Sequence, residues 1–199
     1  MKTLKIWASA LIIGLTLNSC DLFKAKDLTQ KDGIELIKKE TTKFIDNVDD
    51  YKVYDVKFTG KTLENDIVSI EIVHDKNGKP MNKQMYLENT GRGNETPARN
   101  AEKYVGVKTK LFKDIDFAGI QANILKAVEM TEKNDANLEF KSTFIYTVSM
   151  NPSGGADIHN FTLNFTDKTE STKVKGKKIT TNYYSVSFTT INGSVEVKA

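Results

Sequence analysis

The sequence predicts an α+β protein: two helix-plus-antiparallel-meander units, packed as one domain or two small subdomains, after an N-terminal signal peptide. Three observations predict it. Apolar residues recur at helical spacing in two stretches, Ile34, Ile37, Phe44, Ile45 and Val48, then Phe117, Ile120, Ile124, Leu125 and Val128. Between and after these, apolar and polar residues alternate, as in Val68-Ser69-Ile70-Glu71-Ile72. Asn77-Gly78 and Asn192-Gly193 stand between alternating runs, and Asn-Gly is the strongest short hairpin signal. Helices set against one face of antiparallel sheets make an α+β architecture.

The chain opens with Lys2 and Lys5, then an uncharged apolar run from Ile6 to Leu17, then Ser19 and Cys20. Basic start, short apolar run and a small residue before the cut is the order of a secretory signal. The run is about a dozen residues, and a spanning helix needs about 20. Leu17-Asn18-Ser19-Cys20 resembles the bacterial lipobox, Leu-x-(Ser/Gly/Ala)-Cys, read by the lipoprotein signal peptidase. That resemblance covers residues 1–20. It implies cleavage before Cys20, diacylglycerol on its thiol and an acyl chain on its amine, hence a bacterial cell-envelope protein held at a membrane by lipid. Two or three acyl chains hold a protein stably where one does not. Asp21 resembles the inner-membrane retention signal of enteric bacteria, and both inner and outer membrane stay open. Cys20 is the only cysteine, so no intrachain disulfide is possible.

On this reading 1–19 is the leader and 20–30 the lipidated N-terminus and tether. Residues 31–88 form a first helix-plus-meander unit, 89–113 a linker with a short helix, and 114–199 a second unit. Thr29 with Asp32 resembles a capping box for the first helix. Strands follow at Tyr54–Phe58, Val68–Ile72 and Met81–Leu87. Thr96-Pro97 reads as a cap with proline at the first helical position, giving a short helix over 97–104. The second helix starts near Asp114 or Asp116 and ends before Asn134-Asp135. Leu138, Phe140, Phe144, Tyr146, Val148 and Met150 alternate as one long strand, with one buried and one wet face. Phe161–Phe165 returns, 167–178 is a charged connection, and Tyr184–Phe188 and Val195–Val197 complete the unit. The layout is similar to tandem helix-plus-meander envelope proteins, PepSY-like or like the β-lactamase inhibitor proteins. This likeness is one of topology and carries no functional residue.

Composition excludes some classes. The chain is 39% hydrophobic and 28% charged, ordinary for a globular domain. Lys2 and Lys5 supply two of its net +3 charges, and its only arginines are Arg92 and Arg99. Bidentate phosphate and guanine contacts favour arginine, so nucleic acid is not an expected partner.

No constellation of catalytic residues stands out. His74 and His159 are the only histidines, and neither sits in a spaced ligand motif such as His-Glu-x-x-His; both read as surface hairpin residues. Asp75-x-Asn77-Gly78 begins like a calcium loop, yet its twelfth position is Tyr86 where a glutamate is needed. Gly91-x-Gly93 lacks the third glycine and the lysine of a phosphate loop. Ser153-Gly154-Gly155 is a turn, and Asp114 and Asp116 suit a helix start. Lys173, Lys175, Lys177 and Lys178 form the densest basic run, a hairpin tip or a contact for anionic headgroups at about 1 kcal/mol per lysine. Seven tyrosines (Tyr51, Tyr54, Tyr86, Tyr104, Tyr146, Tyr183, Tyr184) either line the core or form a recognition face.

The expectation is therefore a non-catalytic, lipid-anchored envelope protein whose domain binds a protein or glycan. It has no metal or cofactor beyond the acyl groups on Cys20. Two rivals are an envelope hydrolase or metal-dependent enzyme using His74 and His159 in one cleft, and a carrier with an apolar cavity between helix and sheet.

Overall fold

The computed structural model describes residues 25–45, 47–87, 92–152, 155–169, 172–175, 178–191 and 193–198. Cys20 and the leader 1–19, like Gly91, Ser153-Gly154 and Lys177, lie outside the described residues.

The protein is α+β. In chain order it runs α1 (Lys31–Thr42), β1 (Lys52–Gly60), β2 (Ile67–Lys76), β3 (Lys79–Tyr86), β4 (Arg92–Pro97), β5 (Lys110–Leu111), α2 (Phe117–Asn134), β6 (Leu138–Ser149), β7 (Ile158–Asp167), β8 (Thr172–Lys175), β9 (Lys178–Thr181), β10 (Tyr184–Ile191) and β11 (Ser194–Val197). Strands β8 and β9 form a ribbon of their own; the rest make one sheet in the order β11-β10-β7-β6-β1-β2-β3-β4, with β5 beside the start of β1. Among the described residues no helix is long and apolar enough to cross a membrane.

The two units are fused through their first strands. β1 pairs antiparallel with β6, Val56 opposite Val148 and Phe58 opposite Tyr146, and each meander then runs outward from that seam. The helices repeat a detail as well. Thr41 donates its hydroxyl to the carbonyl of Ile37, and Thr131 donates to that of Ala127.

Strand period puts Val56, Phe58, Ile70, Ile72, Tyr146, Val148 and Leu163 on the helix side, where they are buried. Against them lie Ile34 and Ile37 of α1 and Phe117, Ile120, Ile124 and Ala127 of α2. Each large apolar side chain so buried contributes about 1.5–3 kcal/mol. α2 starts at Asp116, whose carboxylate accepts the Gly119 N–H at 2.8 Å, satisfying one of the helix's orphan donors. The β2–β3 turn is a two-residue one with Asn77 at φ 55° and Gly78 at φ 77°, both in the left-handed region that a type I′ hairpin requires.

Several expectations need correcting. Residues 25–30 are part of the domain and not of a tether. Leu28 is fully buried in the core, Lys26 donates its N–H to Asp66 Oδ1 and accepts from Ile67 N–H, and Gln121 of α2 donates to the Thr29 carbonyl. Thr29 does not cap α1: its hydroxyl donates to Asp27, and the residue at the cap is Gln30. α1 ends at Thr42, so Phe44 and Ile45 reach the core from the turn that follows.

The expected linker 89–113 carries β4, the fourth strand of the first meander, and β5. Pro97 closes β4 opposite Met81, and 97–104 holds only a 3-10 turn, Ala101–Tyr104. Gly93, expected in a loop, sits in β4 so close to β3 that a Cβ there would lie 1.9 Å from the Gln84 carbonyl oxygen. The long strand β6 carries two register shifts. They bury Ser142 and Thr143, where Ser142 donates to the Thr62 carbonyl and the Thr143 N–H to Asn65; Phe144 is left half-buried. The connection 167–178 includes β8.

Candidate functional site

Three clefts formed by described residues are candidates.

The largest, about 600 Å³, lies on the sheet face opposite the helices. Its floor alternates out of the core pattern: Asp55 and Lys57 of β1, Glu71 of β2, Asn82 and Gln84 of β3 and Thr147 of β6. Its wall is the segment Pro97–Tyr104. Tyr104 holds that wall down by donating its hydroxyl to Asp55 Oδ2 at 2.5 Å, and Lys103 reaches the same oxygen at 3.2 Å. Beneath the wall, Tyr54, Val73, Ala98 and Tyr104 form a small second core. Burial, then the hydrogen bond to Asp55, pushes the Tyr104 phenol well above its ordinary range, so it stays a donor. Asn82 donates to Glu71 Oε1 at 2.8 Å, while its Oδ1 is buried without a hydrogen-bond partner. Lys57 stands 3.6 Å from Glu71. The floor thus offers amides, hydroxyls and screened charges.

The second cleft, about 320 Å³, lies where α2 begins and β7 starts, with Asn123, Asp116, Lys110, Asp157 and His159 on its lining. Asn123 donates to the Tyr146 hydroxyl at 3.1 Å, and that hydroxyl lies 3.0 Å from His159 Nδ1. A hydroxyl that accepts from the amide has its own proton free for Nδ1, so the imidazole carries its proton on Nε2. Burial lowers the His159 pKa, against Asp157 and Asp116, which raise it. The fully buried Tyr146 phenol is raised, chiefly by burial. Asp157 is ion-paired with Lys110.

The third, about 240 Å³, surrounds His74 near the β2–β3 turn. His74 stacks on Tyr51, ring centres 4.8 Å apart. Its Nε2 is 3.3 Å from Glu95 Oε2, close enough to form an ion pair when protonated, yet not aligned as a hydrogen bond. Burial lowers its pKa more than Glu95 raises it. Lys76 pairs with the other Glu95 oxygen, and that hydrogen bond is the main reason the Glu95 carboxyl is lowered.

Neither histidine is the surface hairpin residue expected from the sequence. His74 is 4% exposed, and His159 is half-buried. Nor do they meet. Three strand spacings, β2 to β1 to β6 to β7, separate them, about 14 Å across the sheet, and their clefts share no lining residue. The two histidines therefore do not line one cleft. Among the described residues no group of three or more His, Cys, Asp or Glu could hold a metal ion. Asp114 and Asp116 split: Asp116 caps α2, and Asp114 closes a 3-10 turn.

The tyrosines form no single platform. Tyr146 is core, Tyr54 and Tyr104 lie under the cleft wall, and Tyr86 on β3 and Tyr184 on β10 are exposed on opposite halves of the sheet. Sequence reading missed Asp55, Asn82, Gln84 and Lys103. Their one signal was position: they occupy the polar phase of the strands or the stretch taken for a linker.

Fold and site together define an α+β protein that leaves a polar, charge-screened cleft on the free face of its sheet. A scan against protein-family models, a search of curated proteins and a search of solved structures each find no match to the chain.

Proposed function

We propose that this is a non-catalytic, lipid-anchored protein of a bacterial cell envelope whose domain binds a partner across the free face of its sheet. The observation that carries the binding role is the largest cleft. Its floor is set by β1, β2, β3 and β6, so it is pre-organised, and its charges are already countered within the protein. Such a floor recognises hydrogen-bonding groups without leaving a bare charge to drive chemistry. The anchor reading rests on the leader ending in Leu17-Asn18-Ser19-Cys20.

Between the two partner classes, a protein is favoured over a glycan. Sugars are gripped by exposed aromatic faces, and the one aromatic ring in the lining of this cleft, Tyr104, is 6% exposed. The apolar-carrier reading has no support in the core, where Ile34, Ile37, Ile120 and Ile124 meet Phe58, Ile72 and Tyr146 in one continuous apolar cluster.

The test places a photo-crosslinking residue at Gln84 on the cleft floor of the intact acylated protein, with Lys79 in the β2–β3 hairpin as control. A discrete adduct from Gln84, absent from Lys79 and lost when Lys57 and Arg99 are reversed to glutamate, is expected. Equal labelling at both sites, or steady turnover that tracks the wild-type protein and disappears on one substitution, would refute the proposal.

A further inference from the structure

Two features leave the sheet at the same end. The first is the N-terminal segment. Lys26 is tied to Asp66 and Ile67, and Ile67 pairs with Gly60, where β1 stops. The second is the ribbon. β7 ends at Asp167 and β10 begins at Tyr184, with Phe165 opposite Tyr184. β7 runs parallel in space to β1 across the intervening antiparallel β6, so its end lies on the same side as the end of β1. The β8–β9 ribbon that joins β7 to β10 therefore springs from the side where Lys26 sits.

We infer that this end of the domain is its bilayer face, and that the β8–β9 ribbon is a contact for anionic lipid headgroups. The inference rests on the proposed anchor at Cys20. Charge and reach support it. Lys173, Lys175 and Lys178 lie on the ribbon, and its strands β8 and β9 include no acidic residue. Lys173 pairs with Thr180 and Lys175 with Lys178 in the backbone register, so the three lysines fall at neighbouring positions of the ribbon. The chain from Cys20 to Lys26 spans six residue steps, at most about 20 Å when fully extended. A leash that short lets the basic ribbon reach a charged surface, whose potential decays over about 8 Å at physiological ionic strength.

The opposite end carries the β2–β3 turn at Asn77-Gly78 and the starts of β1 and β7. His74 and His159, with their clefts, lie toward that end. On this orientation both clefts face away from the bilayer.

The test uses acylated protein purified from membranes and placed in phosphatidylcholine vesicles with or without 30% phosphatidylglycerol. Cys20 is the sole cysteine, so once acylated it leaves an introduced thiol as the only labelling site. A fluorophore at Thr180→Cys should be quenched several-fold more than one at Lys79→Cys by a headgroup-attached quencher, and phosphatidylglycerol should increase the difference. Changing Lys173, Lys175 and Lys178 together to glutamine should remove the phosphatidylglycerol effect while the protein still floats with the vesicles. Protein that floats but is quenched equally at the two sites, or without regard to lipid charge, overturns the ribbon contact alone. Protein that does not float, with an unmodified Cys20 by mass, overturns the anchor and this inference with it.

Discussion

Leu28→Ala measures whether residues 25–30 belong to the domain. Leu28 is fully buried, seated in the cluster formed by α1, α2 and the sheet. Truncation removes three carbons, a transfer loss of about 2.4 kcal/mol at roughly 0.8 per methylene. The cavity adds to this, and buried Leu→Ala changes cost about 2–5 kcal/mol in all. Hydrogen bonds from the Lys26 backbone to the β1–β2 loop and from the Gln121 side chain to the Thr29 carbonyl hold the segment in place, so the site cannot collapse freely and a loss of about 3 kcal/mol is expected. With a urea m-value of about 2 kcal/mol/M, the unfolding midpoint should fall by about 1.5 M. Leu125→Ala is the control: Leu125 lies on α2 but is 49% exposed, and its midpoint should move by less than half as much. If Leu28→Ala shifts the midpoint no more than Leu125→Ala does, the segment is a tether after all and the account of this end of the domain is wrong.

Three further outcomes are expected. Burial lowers the pKa of His74 and His159, so the unfolded chain protonates first. Their contribution is then complete above about pH 6.5 and is lost as pH falls from there through the folded-state values; urea midpoints at pH 7.5 and 5.5 should differ, and by less when both histidines are asparagine. Tyr146→Phe strands the Asn123 amide and His159 Nδ1, at a cost of about 1–3 kcal/mol. In the same variant, the imidazole ¹⁵N spectrum should shift from a single Nε2–H tautomer to a mixture, and an unchanged spectrum would contradict the assigned relay. Gly93→Ala must push β4 off the Gln84 carbonyl, so amide exchange in β4 should accelerate at least ten-fold while β6 and β7 are unaffected; uniform protection would show that the close approach carries no strain.

Much of the fold was legible because local chemistry carried it. Asp116 caps α2 through a bond within its own first turn, and the Asn77-Gly78 hairpin needs only two left-handed residues. The strand phases of Val56 and Phe58, or of Phe161 and Leu163, follow from period alone. The site was less legible. Asp55 and Tyr104 are far apart in sequence and meet only because the 3-10 turn folds over the face of β1. His159 owes its tautomer to Tyr146 on the next strand and Asn123 on a helix. Ser142 is buried against the hydrophobic pattern because the β1–β2 loop supplies an acceptor for its hydroxyl, and Asn65 of the same loop accepts the Thr143 N–H.

The sequence by itself determined the α+β class, both helices and most strands, because apolar period and turn chemistry act over a few residues. Only the tertiary structure decided that β1 and β6 would join the two meanders into one sheet, that residues 25–30 would be drawn into the core, and that the two histidines would lie in separate clefts. Those outcomes depend on pairing between segments far apart in the chain, where the gain from burial and from satisfied backbone groups is shared by partners that no local window contains.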